Sequence, residues 1–133
     1  MLPKNTLIIA IDFDGTIVDD AYPKIGNPRL FAFETLKTLQ KEGHRLILWT
    51  YRHGDALQAA VDYCKKNGIE FYAVNNSYPE EEFAGKLSRK INADIFIDDR
   101  NVGGILGWGE VYKLISNKPA PHSIPNKKKK WFW

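Results

Sequence analysis

Residues 6–12, Thr-Leu-Ile-Ile-Ala-Ile-Asp, run apolar without alternation and stop abruptly at a carboxylate. A strand with one wet face alternates apolar and polar residues; this one has no polar face, as in a parallel sheet covered on both sides. Two further runs, RLILWT (45–50) and DIFIDD (94–99), repeat the pattern, and FYAV (71–74) reads as a shorter strand.

Helical segments separate these runs. Asn27 followed by Pro28 supplies a cap and a first helical residue, and Gly43 closes a helix whose inner face is Leu30, Phe33, Leu36 and Leu39. A second helix is predicted from about Asp55 to Asn67, with Leu57, Val61 and Cys64 inward and Gly68 past its end. A short helix is predicted around 81–91, and a last short strand or helix near 111–115. Alternating strands and helices of this length imply βαβ units with right-handed crossovers. The expected fold is therefore α/β, a three-layer Rossmann-like parallel sheet. Such sheets bind ligands beyond the carboxyl ends of their strands. Asp12 and Asp14, Thr50 and Arg52, and Asp98 and Asp99 all sit at such ends and should converge.

The 133 residues make one domain, predicted over 1–116, followed by a tail over 117–133. The net charge of +3 is local: the tail carries five lysines and no acids, leaving 14 basic against 16 acidic residues in the body. No apolar run approaches the length of a membrane span, and nothing at the start reads as a leader. One cysteine, Cys64, makes no internal disulfide, so a reducing, cytoplasmic setting is expected. His44 and His122 read as surface residues, and Trp49, Phe71 and Tyr72 as core.

Clustered carboxylates repel unless a cation sits among them. Their all-oxygen character, without histidine or cysteine, favours Mg²⁺ over zinc. Acids, a hydroxyl and cationic side chains around one crevice suit phosphoryl transfer, where positioning and charge stabilisation do most of the work. In Asp12-x-Asp14 both side chains share a face. One carboxylate can then attack phosphorus while the other faces the leaving oxygen.

DFDGT, preceded by its apolar strand, resembles the first motif of the haloacid dehalogenase superfamily of phosphotransferases. LILWT resembles the second motif, a lysine at Lys86 or Lys90 the third, and IFIDD the fourth, in the family's order over residues 7–99. The resemblance implies that Asp12 is the nucleophile forming an aspartyl-phosphate. It makes Asp14 the proton donor and later base, with its backbone carbonyl on Mg²⁺. Thr50 would bond a phosphoryl oxygen, the lysine would neutralise charge, and Asp99 would meet the metal with Asp98 in support. The implied metal set is Asp12, Asp14, Asp98 and Asp99, and Gly15, Thr16, Tyr51 and Arg52 are candidates for substrate binding. The spans between Asp14 and Pro28 and between Val74 and Lys86 are too short for a cap domain, which resembles the capless branch of the superfamily.

TYRHGD (50–55) and IDDRN (97–101) are also similar to segments of the phosphatase domain of phage polynucleotide kinase, whose arginine near the phosphate matches Arg52. Three readings follow: a phosphomonoesterase, a small phosphorylated metabolite being the expected substrate; a nucleic-acid 3′-phosphatase; and an idle scaffold binding anionic partners through Lys127 to Trp133. A homo-oligomer would shield an otherwise open site.

Overall fold

The computed structural model describes residues 6–82 and 88–117. In chain order these form β1 (Ile8–Ile11), α1 (Ala32–Lys41), β2 (Arg45–Leu48), α2 (Gly54–Lys66), β3 (Ala73–Val74), β4 (Ile95–Ile97) and α3 (Trp108–Ser116). The strands make one parallel sheet in the order β3-β2-β1-β4, so the fold is α/β and Rossmann-like, as the apolar runs require.

Register decides which side chains meet. Ile9 lies level with Leu46 and Ile95, and Ile11 with Leu48 and Ile97, so all six point to one face. There they pack with Phe33, Leu36 and Leu39 of α1, Cys64 of α2, and Trp108 and Tyr112 of α3. Burying Ile9 and Ile11 contributes about 2 kcal/mol each. On the opposite face Ala10, Ile47 and Ala73 pack against Ile91, with Ala93 alongside. Ile91 and Ala93, the described residues of the β3-to-β4 connection on this face, are where a right-handed crossover places them. The chain thus steps outward from β1 through β2 to β3, then returns to the far side of β1. The reversal leaves a crevice beyond the ends of β1 and β4.

Several boundaries differ from the expected ones. The first helix begins at Ala32 rather than after Asn27. Pro28 instead bridges Val18, and the Arg29 amide donates to the Ile17 carbonyl at 2.8 Å. Residues 18–28 therefore fold back as a tight flap, and Leu30 stands 77% exposed rather than in the core. The strand expected over 71–74 is only Ala73–Val74. Residues 81–82 and 88–91, the described flanks of the helix expected at 81–91, are not helical. The last element is a helix, starting earlier than expected at Trp108.

His44, read as a surface residue, is 8% exposed, and its Nδ1 accepts the Leu7 amide at 3.0 Å. Burial holds its imidazole below the usual histidine range. No described helix is long and apolar enough to cross a membrane. Lys86, His122 and the Lys127–Trp133 tail lie outside the described residues.

Candidate functional site

Two backbone bonds carry the sheet pairing one residue past β1. The Asp12 amide donates to the Ile97 carbonyl at 2.9 Å, and the Trp49 amide donates to the Ile11 carbonyl at 2.8 Å. The end of β1 is thereby held between the end of β4 and the residue that follows β2. Oxygens of Asp12, Asp98 and Asp99 come within 4.8 Å of one another.

A buried threonine ties two of these acids. Thr16 Oγ1 donates to Asp12 Oδ2 at 2.9 Å and lies 3.3 Å from Asp99 Oδ1. Its own carbonyl accepts the Trp108 indole N–H at 2.9 Å, so α3 braces the turn from beneath. Gly15 makes room for the acid opposite. It adopts φ 84°, and a Cβ there would lie 2.3 Å from Asp99 Oδ2. Gly15 and Thr16, expected to bind substrate, instead shape the carboxylate cluster. Their amides are also taken, by the Val18 and Phe13 carbonyls.

The cluster carries an electrostatic load. Burial first, then the hydrogen bond with Asp99 and the charges of Asp98 and Asp99, push the Asp12 carboxyl up to about 8. Burial works against ionisation of Asp99 too, but hydrogen bonds from Asp12, its own backbone and Thr16 outweigh it and hold that carboxyl low. A divalent cation would relieve this crowding, and three carboxylates could hold a hard ion such as Mg²⁺.

Asp14 is not part of that cluster. Its two oxygens accept Arg52 Nε at 2.8 Å and Nη2 at 2.7 Å, a bidentate fork. The remaining N–H groups of Arg52 go to the carbonyls of Pro23, Lys24 and Ala56. The guanidinium also lies 4.9 Å from the Phe13 ring centre and 5.1 Å from that of Tyr22. Arg52 is 1% exposed and has no donor left for a ligand. The expected phosphate contact at Arg52 is therefore corrected: it holds Asp14. The Asp14 side chain is thereby held away from the carboxylate cluster, and the metal contact expected of Asp14 concerns its backbone carbonyl.

Thr50 is poised by two neighbours. Asn75, at φ 54°, accepts the Thr50 amide on Oδ1 at 2.8 Å, and Thr50 Oγ1 accepts the Arg52 amide at 3.1 Å. That leaves the hydroxyl proton to donate outward. Asp12, Asp14, Thr50 and Asp98 line a cleft of about 720 Å³. Tyr51 lines it too, standing 89% exposed. Of the two lysine candidates, Lys86 lies outside the described residues, and Lys90 sits with Nζ 5.8 Å from the Phe96 ring centre, away from the cleft lining.

Sequence reasoning missed four lining residues: Asp20, Tyr22, Trp49 and Arg100. Trp49, expected in the core, is half-buried and reaches both the second-face cluster and the cleft. Its position next to Thr50 is the signal that places it there. Asp20 and Tyr22 carry no local signal, because only the flap brings them in.

A solved structure of a conserved protein from Bacteroides thetaiotaomicron is 52% identical in sequence, matching with a TM-score of 0.80 over 90% of this chain and 99% of that one. No family model and no curated protein matches.

Proposed function

The chain belongs to the same family as that conserved Bacteroides protein, and we propose that it is a Mg²⁺-dependent phosphomonoesterase of the haloacid dehalogenase type. The observation that carries the reading is the meeting of Asp12, Asp98 and Asp99 at the β1 and β4 ends, with Thr50 facing the same cleft. The sequence motifs DFDGT, LILWT and IFIDD support it in the same order.

Asp12, Asp98 and Asp99 would hold the metal, which neutralises charge on the phosphoryl oxygens and on the acids themselves. Asp12 attacks phosphorus, forming a carboxylate–phosphorus bond as the ester P–O bond breaks. Asp14, having taken up a proton from solvent at a lone-pair position that the Arg52 fork leaves open, gives it to the departing alkoxide. Water then attacks the aspartyl-phosphate, its proton passes to Asp14, and inorganic phosphate leaves with Asp12 restored. The Thr50 hydroxyl donates to a phosphoryl oxygen throughout.

The test is phosphate release with Mg²⁺ from an aryl phosphate by wild type and Asp12→Asn. The variant should fold normally and lose at least about 10³-fold in kcat. Near wild-type turnover would rule out Asp12 as the nucleophile.

A further inference from the structure

The rim of the cleft has a composition that the proposed chemistry does not use. Tyr22, Trp49 and Tyr51 line the cleft, and Arg100 joins them. Of the charged lining groups, Asp12 and Asp98 belong to the carboxylate cluster and Asp14 is locked by Arg52. Asp20 is the remaining acid, and its Oδ1 accepts the Tyr22 amide at 3.3 Å, which steadies that residue in the flap. Three of the nine described lining residues are aromatic.

Trp49 and Tyr51 flank Thr50 in the chain, and all three line the same cleft. Tyr22 comes from the flap, and the buried Arg52 guanidinium stacks 5.1 Å from its ring centre. One side of that ring is therefore fixed by the protein. Tyr51 is 89% exposed and Tyr22 41%, so both keep aromatic surface in water where a ligand can cover it. Arg100 is the one cation of the described lining, and it makes no side-chain hydrogen bond or ion pair among the described residues.

We infer that this cleft selects phosphate monoesters carrying a planar aromatic group, such as nucleotides, with Tyr22, Trp49 and Tyr51 against the ring and Arg100 on the phosphate. The inference takes its chemistry from the phosphatase reading but rests on the rim for selectivity. Stacking on exposed aromatic side chains gives about 5- to 150-fold per ring.

Adenosine 5′-monophosphate and ribose 5-phosphate share one leaving alcohol and differ in the base, so their comparison isolates ring recognition. With Mg²⁺, wild-type kcat/KM should favour the nucleotide by at least about 10-fold. Tyr51→Ala should lower the nucleotide value at least about 5-fold more than the sugar phosphate value. Asp12→Asn, titrated with each compound by tryptophan emission, should show the same order in Kd. Equal release from both compounds overturns the inference and leaves the phosphatase reading standing. Release from neither, with binding that still favours the nucleotide, overturns the phosphatase reading and supports the selectivity. Equal binding or none, without release, overturns both.

Discussion

Arg52 gives all five of its N–H donors to protein acceptors, two of them to the carboxylate of Asp14 at 2.7 and 2.8 Å. A buried guanidinium that also stacks on Phe13 and Tyr22 is a fixed part of the fold, and it hands that rigidity to the acid it grips. Lysine keeps the charge but not the fork. Arg52→Lys should therefore lower kcat about 10- to 100-fold with little change in KM. The loss should be larger for alkyl than for nitrophenyl esters, because a poor leaving group depends on a well-placed proton donor. Equal losses across leaving groups, or a change confined to KM, would return Arg52 to a direct phosphate contact.

Gly15 and Asp99 approach so closely that a single methyl group is excluded. Gly15→Ala places its Cβ 2.3 Å from Asp99 Oδ2 and strains a backbone at φ 84°. The protein should lose about 1–2 kcal/mol of stability, and Mg²⁺ affinity should fall at least about 10-fold as Asp99 is displaced. Urea unfolding and calorimetric titration with Mg²⁺ measure the two effects separately.

The Asp12 carboxyl, pushed up to about 8 by burial and its acidic neighbours, is mostly protonated at pH 7. A cation bound among the three acids favours its ionised form. Binding at pH 7 should therefore release about one proton per ion. Titrations in buffers of different ionisation enthalpy count that proton. Affinity should rise with pH and level off above about 8, whereas a pH-independent affinity would place the metal elsewhere.

His44 sets a second pH dependence, remote from the cleft. Its folded-state pKa lies below the unfolded value, so the unfolded chain takes up the proton first as pH falls. The stability it contributes is complete above the ordinary histidine pKa of about 6.5 and is lost as pH falls through the folded value. Protonating Nδ1 also removes the acceptor of the Leu7 amide. Urea midpoints should decline below about pH 6.5, and more shallowly in His44→Gln than in wild type.

The chain's legibility divides by the range of the forces involved. Ile9, Ile11, Leu46, Leu48 and Ile97 announce a parallel sheet because burial on both faces leaves no room for alternation. The strand-end acids were legible for the same reason, since the fold sends every strand end to one edge. Pro28 misled because a bridge to Val18, a tertiary contact, overrode its local preference for a helix start. The strand-end position of Arg52 puts it in the right region but does not reveal its task. Nothing in TYRHGD says that three backbone carbonyls and Asp14 will consume its donors. Tyr22 and Asp20 enter the cleft only because the flap closes on itself, with the Asp19 amide donating to the Asn27 carbonyl at 2.8 Å.

Whether Asp12 forms a covalent bond to phosphorus is read from the stereochemical course of the reaction. An isotopically chiral phosphate ester, hydrolysed with Mg²⁺ present, passes through two inversions if Asp12 takes the phosphoryl group before water does. Net retention at phosphorus is the expected result. Net inversion would mean that water attacks the substrate directly, and Asp12 would then be a metal-binding or basic residue rather than the nucleophile.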